Sequence, residues 1–536
     1  MSIFHQFSRD RSGTFSTIAA FMAVPLALAV GLAVDYTNVL RIKTKLQNSV
    51  DSAALAVASQ NDQLNDSQAH SLADSFIDGN FNRVFTTVSV ARAGQTVEVT
   101  ANTQVKLAFG GVFGMGNAVL TASTKTEVSY ANYEIALALD TTGSMAGGKL
   151  ASMKEAVTGM IDTMVAQNAG RGLLKFSIVP FSSMVNVGSQ FGPAYDAHGA
   201  VTRQPAAWLD GLAKSPIDQS DLDPGVSRFA LYKHLGMQWP GCVEHRPTVG
   251  GVDYGITDIA PNSADPKTLY IPAFASDEPG NSGFPNSYLP DMGNPIGSGT
   301  AAGRMARYGA VYDSSIKTMT FNQQIAASAA WSAVSPDFSN QNYYGSYSVN
   351  KGPDFGCDVQ PIMALTGNYP ALKAKVNSLA AQGSTNIIEG AAWGWRTLSP
   401  QLPFSEGKPY NNTGTRKILV LLTDGSNNLG LINNALGSAY NSYGYLVDGR
   451  LGLSSGSRTQ VTDAMNDRTL AVCANAKAEG IEIYTIKLEE PDVVTGTMLR
   501  DCASGADHYF DVPNRTLLDD AFAKIKDKIE IVRIIS

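Results

Sequence analysis

Asp140, Thr142 and Ser144 occupy alternate positions of the segment Asp140-Thr141-Thr142-Gly143-Ser144, directly after an apolar run and before a helical one. A carboxylate and two hydroxyls spaced i, i+2, i+4 in a tight turn can all point at one hard cation. Magnesium favours oxygen donors in near-octahedral geometry and usually keeps several waters. Two more oxygen donors stand in other loops: Thr385 in Gly-Ser-Thr-Asn, and Asp424, which closes ILVLLTD before Gly425. These five residue types in this order point to cation binding, with Mg2+ first and Mn2+ or Ca2+ as alternatives. A helix cap would account for Asp140 or Thr142 alone, but it would not call for Thr385 and Asp424.

Other chemistries fit less well. Gly143 to Lys149 reads GxxxxGK, a phosphate-cradling pattern, yet Leu150 stands where a metal-holding Ser or Thr is needed. Gly452-Leu453-Ser454-Ser455-Gly456 reads GxSxG, but no apolar strand precedes it and only His508 follows. Cys242 with His234 and His245 lacks a fourth nearby zinc ligand. The protein is therefore expected not to be an enzyme.

The elements that must position the five residues are legible as apolar runs: IALALD (135–140), FSIVPF (176–181), ILVLLTD (418–424) and IEIYTI (481–486). Helical patterns fall at about 148–168, 370–382, 386–398, 466–479 and 515–530. Continuous apolar strands alternating with helices predict βαβ units and a buried, mostly parallel sheet with helices on both faces. Ligands of such sheets bind beyond the carboxyl ends of the strands, where Asp140 and Asp424 fall. Two insertions, 190–360 and 425–465, interrupt this 131–536 domain. The first holds 20 aromatics in 171 positions against 9% overall, too many for a disordered linker.

Ahead of this domain, residues 12–34 form 23 uncharged, largely apolar positions between Arg11 and Asp35, long enough for a transmembrane helix. Residues 1–11 would be a cytoplasmic tail. Leu40, Ile42, Leu46, Val50, Ala53 and Val57 continue the helical spacing, residues 60–84 are polar, and alternation at Val97–Leu107 and Leu120–Thr124 predicts strands. Together, 35–130 reads as a small α+β membrane-proximal module. Arg9 and Arg11 on one flank and Arg41, Lys43 and Lys45 on the other leave the charge rule undecided. The four cysteines all lie beyond the apolar stretch, without CxxC spacing, and fit two disulfides in an oxidising compartment. Three pairings are open; Cys242–Cys357 with Cys473–Cys502, one bridge within each folded part, is the expected one. A chain of 536 residues with a net charge of −7 and no basic block is not built to bind nucleic acid.

The set Asp140, Thr142, Ser144, Thr385 and Asp424 resembles the metal-ion-dependent adhesion site of von Willebrand factor A domains: DxSxS, a distant Thr, then an Asp before Gly. The resemblance implies Thr142, Ser144 and Thr385 as ligands, Asp140 and Asp424 acting directly or through water, and an open position for an acidic side chain of a protein partner. RDRSG, TFSTIAAFMAVPLALAVGLAVDY and LQNSVDSAALAVAS resemble the TadE/TadG-like N-terminal domain of tight-adherence (Flp-type) pilus-assembly proteins. WPGCVEHRP, FASDEP, AVCANAKAEGIEIYTI and CASGADHYFDV are similar to TadG-like members of that group. The implied protein is a single-pass inner-membrane protein of a bacterium, its bulk in the periplasm, assisting assembly or anchoring of an adhesive pilus. Processed pilin-like relatives carry Glu five residues after the cleavage Gly; Ile18 stands at that distance from Gly13, against assembly as a pilin subunit. An envelope adhesin or scaffold unrelated to pili is the second function class. In A-domain topology the third strand runs antiparallel, so insertion 190–360, leaving after it, is expected at the edge opposite the metal, and 425–465 at the metal edge.

Overall fold

The computed structural model describes every residue except 1–13, 61–63, 82–85, 94–95, 115, 128–131, 169–172, 220, 281–282, 291–304, 311–313, 344–346, 413, 530–532 and 535–536. The predicted cytoplasmic tail, 1–11, lies outside the described residues, as does Gly13. The chain divides into two compact units, Met1–Tyr130 with Glu530–Ser536, and Ala131–Ile529.

The first unit begins with helix α1 (Thr14–Ser59), 46 residues long with Pro25 inside it. Its first half exposes Phe21, Met22, Val24 and Val30, and its second half buries Leu46, Val50, Ala53 and Val57. An apolar surface of that extent on a helix suits a lipid environment, which neighbours or water make tolerant of an internal proline. Asp35 marks the change: its carboxylate accepts the backbone N–H groups of Ala108, Phe109 and Gly110 at 2.8–2.9 Å. Gly31 is required one turn earlier, because a Cβ there would sit 2.5 Å from the Phe109 ring.

The polar stretch after α1 holds a second helix, α2 (Asp66–Asn80), which composition alone does not announce. An Asn65–Gln68 capping box starts it, and Ala69, Ala73 and Ile77 form its buried stripe. Strands β1 (Thr87–Ala93), β2 (Thr96–Lys106) and β3 (Asn117–Glu127) follow in an antiparallel sheet. Val97, Val99, Ala101, Thr103 and Val105 share the buried face of β2. The chain's last strand, Arg533–Ile534, pairs with β3 at its edge.

The second unit is built on β4 (Asn132–Asp140), α3 (Gly148–Gln167), β5 (Leu174–Phe181), β6 (Met363–Thr366), α4 (Tyr369–Ser378), α5 (Ile387–Leu398), β7 (Thr415–Thr423), α6 (Arg458–Ala478), β8 (Glu482–Leu488), α7 (Val493–Cys502), β9 (Tyr509–Val512) and α8 (Leu518–Ile529). The strands lie in the order β6-β5-β4-β7-β8-β9, all parallel except β6, which runs antiparallel to β5. Alternate β4 residues feed two cores. Ile135, Leu137 and Leu139 pack with Met153, Val157 and Ile161 of α3 and with Phe522 and Ile525 of α8. Ala136 and Ala138 face the side of Ile388 and Trp393 from α5 and Val461 and Met465 from α6. This is the mostly parallel sheet with helices on both faces that the strand pattern predicts.

The insertions differ from expectation in two respects. The long one runs from Ser182 to Ile362, between β5 and the antiparallel β6, not after it. It therefore leaves from the carboxyl end of β5, the same edge as Asp140. Sequence misplaces it because β6 is four residues long and weakly apolar, so its position is invisible before the sheet is assembled. The second insertion ends sooner than 465, since α6 already begins at Arg458 behind a Ser457–Gln460 capping box. The long insertion adds Trp208, Phe229, Trp239, Tyr270 and Phe274 to the same core as Ala136, Ala138 and Trp393. Cys242 is bonded to Cys357 within it, and Cys473 of α6 to Cys502 of α7.

Candidate metal centre

Asp140 ends β4 at the centre of the sheet and is fully buried. One carboxylate oxygen accepts the Thr142 N–H at 2.8 Å and the other the Thr423 hydroxyl at 2.6 Å. Thr142 is extended, residues 143–145 form a single tight turn, and Gly147, at φ 79°, redirects the chain into α3. This turn sets the Thr142 and Ser144 hydroxyls 3.1 Å apart. Ser144 donates to Asp424 Oδ1 at 2.6 Å, across to the carboxyl end of β7. The loop carrying Thr385 is tied to the same turn: the Gly143 N–H donates to Gly383 O at 3.0 Å and the Gln382 N–H to Thr141 O at 2.7 Å. A Cβ built on Gly425 would lie 3.3 Å from Thr385 Oγ1, 3.8 Å from Ser144 Oγ and 3.9 Å from Glu490 Oε2. Glycine at 425 thus leaves room for three oxygens to approach one point.

All five sequence-derived residues therefore meet at one sheet edge, and three further residues join them. Thr423 holds Asp140, Lys149 Nζ lies 2.7 Å from Asp424 Oδ2, and Glu490 stands at the rim. Thr423 directly precedes Asp424, and Lys149 was conspicuous as the end of GxxxxGK; Glu490 has no spacing signal beyond following a strand.

The donor set fits a hard divalent cation. Every donor is oxygen, and two buried carboxylates share one ammonium, so negative charge is left in a poorly solvated place. Burial first, and then the charge of Asp424, push the Asp140 carboxyl up to about 7; a cation would reverse that. The Ser144 proton is committed to Asp424, which leaves the hydroxyl's lone pairs for a cation. Among the described residues no three His, Cys, Asp or Glu side chains form a metal-binding group, so any site here depends on hydroxyl oxygens.

The competing motifs resolve differently. The Lys149 ammonium lies on Asp424, and Leu150 still stands where a phosphate loop needs a metal-holding hydroxyl. Ser454 lies in the insertion leaving the carboxyl edge, whereas His508 pairs with Asp507 and Glu482 at the start of β8 and β9, the opposite edge. Cys242 is in a disulfide, and His245 is held between Glu389 and Asp253.

Thr142, Ser144 and Thr385 also line a cavity of about 300 Å³. Val349, Phe355 and Asp358 from the long insertion and Leu429 and Tyr440 from the second wall it, together with Arg458.

Residues 13–60 match the Tad family model, Flp pilus-assembly TadE/G-like. No curated protein sequence matches the chain. Among solved structures, the chain is similar to the pilus adhesin SpaC from Lactobacillus rhamnosus GG, at 13% identity and a TM-score of 0.32 over 83% of this chain and 34% of that one. It is also similar to the vWF domain of the type V pili tip protein Mfa5 from Porphyromonas gingivalis, at 9% identity, TM-score 0.31, over 74% and 95% of the two chains. A von Willebrand factor type A structure from Catenulispora acidiphila has 11% identity and a TM-score of 0.25 over 83% and 49%. The chain thus spans about a third of the length of SpaC.

Proposed function

We propose that this protein is a TadG-like, single-pass inner-membrane protein whose periplasmic A domain binds an acidic protein partner through a divalent cation, assisting assembly or anchoring of a tight-adherence pilus. The observation that carries the binding reading is the convergence of Asp140, Thr142, Ser144, Thr385 and Asp424 at one sheet edge. When bound, the cation supplies a positive centre with a free position for a carboxylate. Thr142, Ser144 and Thr385 would hold it, and Asp140 and Asp424 would balance its charge. The cavity beside these hydroxyls supports a partner that presents an apolar side chain next to its acidic one. The family match over α1 supports the pilus setting, the exposed apolar half of α1 the membrane setting, and the two disulfides an oxidising compartment.

The test is calorimetric titration of the full chain in detergent with Mg2+, beside Asp140→Ala. Saturable binding that the substitution abolishes is expected. Undiminished binding in Asp140→Ala would remove the site from the proposal. Loss of pili on deletion of the gene, restored by the wild type and not by Asp140→Ala, is expected if the pilus setting holds; normal pili without the gene would favour an adhesin or scaffold.

A further inference from the structure

Lys149, the charged residue that closes the GxxxxGK segment, has no part in the cation ligand set. Its ammonium lies 2.7 Å from Asp424 Oδ2, and the Asp424 side chain is fully buried while that of Lys149 is 21% exposed. Asp424's other oxygen already accepts from Ser144, so the carboxylate has one donor on each oxygen. Lys149 also stands in the first turn of α3, where a positive charge is disfavoured by the helix dipole. Its place is thus explained by Asp424 and not by the helix.

We propose that Lys149 is a specificity-determining residue of this edge: it weakens the hold on a divalent cation and thereby enables the loaded site to accept an anion. The inference rests on the cation-binding reading above. Charge bookkeeping carries it. Three carboxylates, those of Asp140, Asp424 and Glu490, stand at this edge, and the Lys149 ammonium lies on that of Asp424. A divalent ion added to this group leaves it neutral. Without Lys149 the same loaded group keeps a net negative charge and would repel a partner's carboxylate. The lysine should therefore act in opposite directions on the two ligands, since a charge that repels the cation attracts the anion. A residue that merely propped the loop would weaken both.

Mn2+ binding to the full chain in detergent, measured by calorimetry in sodium acetate and in sodium chloride at equal ionic strength, tests this. The proteins compared are wild type, Lys149→Met, Lys149→Gln and Lys149→Arg. Wild type is expected to bind Mn2+ more tightly in acetate than in chloride. Lys149→Met and Lys149→Gln should bind Mn2+ on the order of tenfold more tightly in chloride, with the acetate enhancement lost. Lys149→Arg should behave as wild type. Unchanged or weaker Mn2+ affinity in either neutral variant, with near-ultraviolet dichroism intact, overturns the inference, as does acetate enhancement that survives in them. Absence of saturable Mn2+ binding in wild type and all variants instead overturns the cation reading beneath it.

Discussion

Ser144 donates its hydroxyl proton to Asp424 at 2.6 Å, although 280 positions separate the two residues. This bond joins the turn after β4 to the end of β7 and fixes which way the Ser144 lone pairs point. Ser144→Ala is expected to weaken Mg2+ binding on the order of tenfold or more and to destabilise the cation-free protein by about 1–3 kcal/mol, the usual effect of depriving a buried charged acceptor of its donor. Calorimetry and chemical denaturation measure the two effects separately. An unaltered Mg2+ affinity would place Ser144 outside the site.

The cation-free protein should lose stability as pH rises from about 4 to about 7. Asp140 is pushed up to about 7 by burial and then by Asp424. Across that window the folded chain keeps a proton that an unfolded aspartate, at about 3.9, has released. Glu278 and Asp358, also driven up to about 7 by burial, add a slope of the same sign. Saturating Mg2+ should remove the Asp140 share only, and Asp140→Asn should remove it without Mg2+. Thermal melts in chelator and in Mg2+ between pH 5 and pH 8, on the order of the window set by these groups, read the difference. Identical slopes in the two buffers would count against cation binding at Asp140.

His245 provides an independent pH signature. Its ring stacks on Tyr443 with centroids 4.4 Å apart, with Nδ1 2.8 Å from Glu389 and Nε2 3.1 Å from Asp253. Burial opposes its protonation, but Asp253 and Glu389 outweigh burial and raise it above its ordinary value. Burial likewise works against the Asp253 charge, and His245 overcomes it, bringing Asp253 down to about 2. The histidine's contribution is full below about 6.5 and fades as pH rises through its raised value. The aspartate's is full above about 3.9 and fades as pH falls toward 2. A double-mutant cycle of His245→Gln and Asp253→Asn should therefore give a coupling of about 2–3 kcal/mol near pH 5 that shrinks at alkaline pH. A coupling that persists there would mean the pair is a neutral hydrogen bond.

The disulfides close loops of 115 and 29 residues' separation. Chain-entropy arithmetic gives roughly 5 and 3.5 kcal/mol for them. Cys473→Ser with Cys502→Ser should therefore lower the denaturation midpoint of the α/β unit less than Cys242→Ser with Cys357→Ser. The reverse ranking would show that the α6–α7 bridge limits stability.

Much of this architecture is legible along the chain because parallel strands buried on both faces leave uninterrupted apolar runs, as at 135–140 and 418–424. The Asp-Thr-Thr-Gly-Ser turn is legible for a related reason, since local backbone geometry alone brings its oxygens together. What is hidden depends on assembly. Lys149 finds its partner 275 positions away, and Glu490 reaches the edge only once β8 is laid beside β7. Helix α2 fully buries only three small or medium apolar residues, so its composition reads as a polar linker. The edge from which the long insertion departs depends on a four-residue strand, β6, too short to stand out from a Gly- and Asn-rich background.

The return of the chain to the first sheet, where Arg533 and Ile534 pair with Glu127 and Thr126 of β3, has a mechanical consequence. The α/β unit is spliced into another folded unit by both of its ends, and inside it the Ile529 carbonyl accepts from the Tyr133 hydroxyl at 3.3 Å, beside the start of β4. A tensile load applied at the carboxyl edge of the sheet is therefore divided between the covalent link to β3 and the strand pairing that Arg533 and Ile534 make with it. A domain tethered this way resists peeling from one terminus, as a loop of rope holds where a single strand would fray.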